Sequence, residues 1–287
     1  MEVPEYTHER FSIAGVLSEL THEVKQKGLE PFEAFVVLRQ ELGTLGLRHT
    51  LAYASTSITT GGHARRMAAS PANDVLRITP LTIGDVIAAN TRTAQLMIAQ
   101  LERKGDVEAK DVILPVDLGN TGWNQTEFMK FWALVIGVTN LEDMTGHTLQ
   151  GLVGLEHELE EGLARDGVDV ELMSSKTASL DDRRPEYYRF VDSYARTLRG
   201  QRVQPEPVRR FIQLVDTGIS LGCDAERRLA NDFGVPAFKL APMRPATIDE
   251  ATADVPLLQE DLRIITAYGG EVAIASKGSS LTLVRSL

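Results

Sequence analysis

The sequence predicts an α/β protein whose strands form a parallel sheet, because one pattern occurs twice along the chain. In each copy a short apolar run ends in a loop with glycine, a stretch with helical period follows, and a second apolar run ends the unit. The two copies lie at 51–116 and 211–240. Parallel neighbours require a crossover of this kind, and it is right-handed in nearly all proteins. We therefore expect a Rossmann-like sandwich, with a parallel sheet between helices.

Two further segments accompany this predicted core. In residues 1–46 the apolar positions follow helical spacing and are interrupted by Gly28 and Pro31, which predicts an N-terminal helical hairpin. The remainder, 47–287, is expected to form one α/β domain. A mainly helical insertion is expected at about 140–205, because it lies between the two strand, loop and helix units.

Shorter patterns predict the parts of the insertion and the C-terminal region. Alternating apolar residues over 168–172 predict a strand, whereas the Ser, Thr, Asp and Arg cluster over 174–184 predicts an exposed linker. Helical spacing over 187–198 predicts a helix. Gly269 and Gly270 separate two alternating runs, which predicts a hairpin or a crossover with an edge strand.

The composition excludes several classes of protein. The chain has 287 residues, 43% of them hydrophobic, which is enough for a sizeable core. With 30 basic and 40 acidic residues the net charge is −10, and a chain without a basic run lacks the surface that binds duplex nucleic acid. The single cysteine excludes an internal disulfide. The acidic N-terminus and the short apolar runs predict a cytoplasmic protein with no membrane partner.

The loop after the first predicted strand has the composition of an anion-binding turn. Ser57 and Thr59 can donate hydroxyl hydrogen bonds, and Gly61 and Gly62 allow backbone N–H groups to turn toward an anion. Arg65 adds a positive charge. The same residues are also typical of an ordinary glycine turn with a solvated arginine, so this loop has two interpretations.

The second loop leads into a helix that carries a candidate nucleophile. Ser220 and Gly222 precede Glu226, whose carboxylate falls within the first turns of the predicted helix. The N–H groups of a helix N-terminus favour the ionised form of a carboxylate there, which suits a nucleophile. The alternative is a glutamate that only complements the helix dipole.

Taken together, these segments resemble the nucleoside 2-deoxyribosyltransferase-like superfamily, including its nucleoside 5′-monophosphate N-glycosidase branch. The resemblance rests on Tyr53 with the loop that follows it, on the order Ser-x-Gly-x-x-x-Glu-x-x-x-Ala starting at Ser220, and on the Gly-Val-Pro that follows. It implies that Glu226 attacks the anomeric carbon of a nucleoside or nucleotide. It also implies that Tyr53, Ser220 and Gly222 bind the substrate, that the first loop holds its 5′ end, that no cofactor or metal is needed, and that the chain forms a homo-oligomer.

The chain departs from the family in two respects. The insertion is longer than the compact family needs, and the family's acidic partner of the glutamate has no secure counterpart, with Asp192 and Glu127 as candidates. A looser register of the same motif would place the site carboxylate at Glu156 or Glu158. These departures leave a second expectation open, namely a nucleotide-binding or interaction module on the same scaffold without catalysis.

Overall fold

A computed structural model describes most of the N-terminal and central parts of the chain. The described residues are 12–46, 51–56, 91, 94–95, 98–99, 101–102, 107–138, 149–200, 207–214, 220–239, 243–245, 270–275 and 281–285. The chain divides into two compact units. The first comprises 1–53, 117–211 and 221–237, and the second comprises 54–116, 212–220 and 238–287.

Helices make up most of the first unit. They are α1 (Ile13–Lys27), α2 (Pro31–Thr44), α3 (Gln125–Val138), α4 (Leu149–Arg165), α5 (Val170–Ser174), α6 (Leu180–Arg199) and α7 (Leu221–Asp232). The predicted hairpin corresponds to α1 and α2, which pack against each other. Gly28 ends α1 in the left-handed conformation, with φ of 68°, and Pro31 begins α2, where its missing N–H costs nothing. The stretch with helical period in the first copy of the pattern covers 82–104, and all seven of its residues that the structure describes are helical.

In the described part of the chain, seven strands form two sheets. They are β1 (Ala52–Ser55), β2 (Val112–Ile113), β3 (Arg210–Gln213), β4 (Ala237–Lys239), β5 (Met243–Pro245), β6 (Gly270–Ala275) and β7 (Leu281–Arg285). The first sheet has the order β2-β1-β3-β4 and the second the order β5-β6-β7. Backbone bonds from Arg209 to Leu51 and from Leu214 to Ser55 advance in the same direction, so β1 and β3 are parallel. The prediction of an α/β chain with a parallel sheet is confirmed, since the described residues form a small parallel sheet and are mostly helical.

An aromatic cluster of the first unit surrounds β1 and β3. The Tyr53 ring stacks on Phe211 at 5.8 Å between centroids and meets the edge of Trp132 at 5.6 Å. Trp132 in turn contacts Phe131 at 4.7 Å, and all four side chains are at most 2% exposed. Because large buried rings contribute most to core stability, this cluster holds α3 against the strands.

One prediction within the insertion is wrong, and another is confirmed only in part. Residues 168–172 are not a strand, because Asp169 caps a helix there: its Oδ1 accepts the N–H of Leu172 at 2.8 Å. The linker predicted over 174–184 is present only at 175–179, between α5 and α6. From Leu180 the chain is helical, since Ser179 and Asp182 form a capping box.

The glycine pair near the C-terminal end does not form the turn of the hairpin. Gly270 is the first residue of β6 and pairs with Arg285 of β7, in an antiparallel register that runs to the pair Ile274 and Leu281. The antiparallel pair of β6 and β7 is therefore not the hairpin predicted around this glycine pair, because both of its strands follow Gly269. The other edge of β6 pairs antiparallel with β5. Within the described part of the chain, no helix has the length and apolar content that crossing a bilayer requires.

Candidate functional site

Glu226 lies on the buried face of α7. Its side chain is 6% exposed, and it shares this face with Ala225, Leu229 and Ala230, which are all at most 1% exposed. The helix packs against α6 and α3. Carboxylates are rarely buried unless a partner or a function compensates for the lost hydration. The position of Glu226 is thus unlike that of a glutamate that only complements a helix dipole at the surface.

The hydroxyl of Tyr53 is the first polar group that Glu226 influences. Tyr53 is fully buried, and its Oη makes no hydrogen bond of normal geometry with any described group. Burial raises the pKa of Tyr53 well above its ordinary value, and the negative charge of the Glu226 carboxylate raises it further. Glu226 also acts on this hydroxyl as a hydrogen-bond acceptor, at a geometry outside the normal limits.

Tyr187, on α6, is the second tyrosine that Glu226 influences. Burial raises the pKa of Tyr187 to about 12, the nearby Arg183 guanidinium opposes this shift, and the charge of Glu226 adds to it. Arg183 is 7% exposed and donates from Nη2 to Tyr187 Oη at 3.2 Å and from Nε to the Met173 carbonyl at 2.8 Å. The buried network therefore contains a carboxylate, two tyrosine hydroxyls and a guanidinium.

A second buried carboxylate lies two residues before Glu226. Asp224 is 3% exposed and lies 3.6 Å from Arg184 Nη1, and this charge contributes to the raised pKa of Arg184 after the larger effect of a hydrogen bond with Tyr188. Asp224 is also the acidic residue in the first turn of α7. An ion pair and a helix N-terminus explain this residue without any catalytic role.

The residues predicted to bind substrate are only partly described. Ser220 and Gly222 are both buried next to the start of α7. Ser57, Thr59, Gly61, Gly62 and Arg65 lie outside the described residues.

The two candidates for the acid partner form hydrogen bonds with other residues. Asp192 receives two hydrogen bonds from Arg228 Nη2, at 2.7 and 3.0 Å, and Glu127 accepts the N–H of Asn124 ahead of α3. The groups that act on the two tyrosines include Arg183 on α6, Gln125 on α3 and Cys223 on α7, and the sequence analysis did not select them. An Arg and a Tyr four positions apart, as Arg183 and Tyr187 are, share a helix face, which is the signal that was available.

The alternative carboxylates lie elsewhere in the first unit. Glu158 is exposed on α4, whereas Glu156 is half-buried and lines a cavity of about 110 Å³ between α2, α3, α4 and α6. The pKa of Glu156 is raised, first by burial and then by the charges of Glu160 and Glu33. Among the described residues, no three histidine, cysteine or acidic side chains are arranged to hold a metal ion.

The pKa of Glu156 predicts a pH-dependent effect of Glu156→Gln on stability. A carboxyl group whose pKa is raised by folding binds its proton more tightly in the folded state, so the charged form destabilises the protein as the pH rises above the ordinary carboxyl value. We expect Glu156→Gln to be more stable than wild type at neutral pH, by less than about 1 kcal/mol because the group is partly exposed. The difference should disappear below about pH 4.

Urea denaturation at several pH values measures this difference. Glu158→Gln, on the exposed face of the same helix, is the matched control. If both variants change stability equally at every pH, the environment of Glu156 is not the cause.

A pair of tyrosine variants tests the hydrogen bonding around Glu226. Tyr53→Phe removes a buried hydroxyl without a hydrogen bond, so we expect the free energy of unfolding to stay constant or rise by about 1 kcal/mol. Tyr187→Phe removes the acceptor of an Arg183 N–H, so we expect a loss of about 1–3 kcal/mol. Urea denaturation of both variants measures the contrast, and a larger loss for Tyr53→Phe than for Tyr187→Phe would contradict it.

Comparison with known proteins identifies no relative of this chain. No family model matches the chain, and no curated protein or solved structure matches it either.

Proposed function

We propose that the chain cleaves or transfers the N-glycosidic bond of a nucleoside or nucleoside 5′-monophosphate, with Glu226 as the nucleophile. The observation that carries the proposal is the buried Glu226 carboxylate, which acts on the buried hydroxyl of Tyr53. A hydroxyl beside a carboxylate can hydrogen-bond to it or to a substrate hydroxyl during reaction.

The strand order supports the same location for the site. The order β2-β1-β3-β4 matches the first four strands of a doubly wound sheet. In such sheets ligands bind at the carboxyl ends of the strands, at the point where the strand order reverses. Here that point lies between the neighbours β1 and β3. Tyr53 lies on β1, and Glu226 lies on the helix that follows β3. We propose on this basis that the small parallel sheet belongs to a Rossmann-like sandwich, the finer architecture that the sequence predicts.

The proposed reaction has two steps. In the first, a Glu226 carboxylate oxygen bonds to the anomeric carbon while the bond to the base nitrogen breaks, and the base leaves with the electron pair. In the second, water or another base attacks the same carbon and the glycosyl ester of Glu226 breaks, which restores the carboxylate. The transition state carries positive charge on the sugar, and an adjacent carboxylate stabilises that charge.

The two tyrosines would position the nucleophile in this proposal. A hydrogen bond from Tyr53 or Tyr187 orients a carboxylate without removing its charge, because the raised pKa values keep both hydroxyls protonated at neutral pH. In this proposal the loop with Ser57, Thr59 and Arg65 binds the phosphate, a role that is predicted from the sequence alone. Binding energy at that remote group would orient the sugar.

Release of free base is the direct test. The full chain is incubated with a panel of nucleosides and 5′-monophosphates, and free base is measured by chromatography. We expect release from at least one purine or pyrimidine substrate. If no member of the panel loses its base but a monophosphate raises the melting temperature, the chain is the non-catalytic nucleotide-binding module and the proposed activity is wrong.

A trapped intermediate identifies the nucleophile. A substrate with fluorine at the 2′ position destabilises the positively charged transition state and slows hydrolysis of the glycosyl ester, so the ester can accumulate. We expect intact-protein mass spectrometry to show one added glycosyl group, and peptide mapping to place it on Glu226. A group found on Glu156 or Glu158 would move the site to α4.

A further inference from the structure

The cavity between α2, α3, α4 and α6 is acidic and lies apart from the Glu226 network in the same unit. Its volume is about 110 Å³. The described residues that line it include four carboxylates, Glu30, Glu127, Glu156 and Glu160, and one basic side chain, Lys130. Lys130 Nζ is 2.6 Å from Glu160, so the two side chains form an ion pair. The cavity therefore carries a formal charge of −3, which favours a cation.

Glu156 is the carboxylate in this cavity that is free to bind such a cation. Glu127 accepts the backbone N–H of Asn124, and Glu160 forms the ion pair with Lys130. Glu156 has no hydrogen bond or ion pair within the described part of the chain. It is half-buried, and the like charges of Glu160, Glu33 and Glu30 act on it, with only Lys130 opposing them. A cation bound there would relieve this repulsion.

Tyr194 supplies a second and independent indication of a ligand. Its side chain is 2% exposed, lines the cavity, and has no hydrogen bond with any group that the structure describes. Stacking on Phe190, at 4.4 Å between centroids, holds the ring in place. Burial raises the pKa of Tyr194 well above its ordinary value, and the charges of Glu160 and Glu156 raise it further.

The other side of the cavity is apolar. Phe32, Leu134 and Leu159 line it and are at most 6% exposed. A ligand that fits must therefore combine a cationic donor group with a short hydrocarbon part. A cavity of 150 Å³ in another protein accommodates benzene, so this one has room for roughly four or five non-hydrogen atoms.

We propose that this cavity binds a small primary alkylammonium ion. The ammonium group donates to the Glu156 carboxylate and to Tyr194 Oη, and the alkyl chain packs against Phe32, Leu134 and Leu159. The half-exposed Glu160, 47% accessible, leaves the cavity open to solvent on that side. The proposal does not depend on Glu226 chemistry, and the base-release assay does not bear on it.

Calorimetric titration of the full chain with n-butylammonium chloride at neutral pH and constant ionic strength tests the proposal. We expect saturable binding to wild type and about tenfold weaker binding to Glu156→Gln, because a charged hydrogen bond is lost. Tyr194→Phe should bind roughly three- to tenfold more weakly. Glu158→Gln, whose side chain is exposed on the same helix, should bind as wild type does.

The neutral compound 1-butanol has the same length and separates charge recognition from apolar binding. We expect no saturable binding of 1-butanol. Absence of saturation with butylammonium, equal affinity of wild type and Glu156→Gln, or equal affinity for the alcohol would each overturn the proposal. Circular dichroism melts show whether each variant folds. If Glu156→Gln does not fold, the affinity of Tyr194→Phe decides the outcome.

Discussion

Glu226→Gln is expected to lower the rate of base release on the order of 10³-fold or more, with little change in substrate affinity. The substitution keeps the shape of the buried side chain and removes the charge and the nucleophilic oxygen, so the first bond to the anomeric carbon cannot form. The measurement is kcat and KM for the best substrate of the panel. Loss of the trapped glycosyl group in the same variant would link the rate to the nucleophile.

Asp232→Asn, at the C-terminal end of the same helix, is the matched control for Glu226→Gln. It removes one carboxylate from α7 at a position that is not buried. We expect its kcat to equal that of wild type. Equal rates for wild type and Glu226→Gln would contradict the proposed function, and equal losses in both variants would show that a general effect on the helix is responsible.

Trp132→Ala is expected to cost about 3–5 kcal/mol of unfolding free energy, the largest stability loss that we predict. Trp132 is 2% exposed and contacts both Tyr53 and Phe131, so its removal leaves a large cavity in the aromatic cluster. Because Tyr53 loses the edge contact that helps to hold it beside Glu226, base release should fall as well. Urea denaturation followed by far-ultraviolet circular dichroism measures the loss of stability.

The second tryptophan provides the control. Trp123 is half-buried, packs on Phe128 and Phe131, and donates from Nε1 to the Leu29 carbonyl at 3.2 Å. Trp123→Ala leaves a smaller cavity at the edge of the cluster, so we expect at most about half of the Trp132→Ala loss. A loss for Trp123→Ala that equals or exceeds that of Trp132→Ala would show that the aromatic cluster around Tyr53 is not the main source of stability.

Elements with a long and regular apolar pattern could be predicted from the sequence. The hairpin of α1 and α2, the strands β1 and β3, and the helix that carries Glu226 follow from local periodicity, since burying one face requires that spacing. The strand predicted from the alternation over 168–172 was wrong, because a pattern of only five residues fits a strand or a capped helical turn equally well. There the side chain of Asp169, rather than the apolar pattern, decides the conformation.

The sequence alone determined the class of the fold, the acidic character of the chain and the candidate status of Glu226, because these depend on composition and local order. Only the tertiary structure decided what lies beside that glutamate. Tyr53 and Tyr187 are far from it in the chain, and they meet it because β1 and β3 are neighbours and α6 packs on α7. The cavity with Glu156 and Tyr194 likewise requires four helices to pack together. Contacts between distant segments depend on how whole faces fit, and no local period in the sequence specifies that fit.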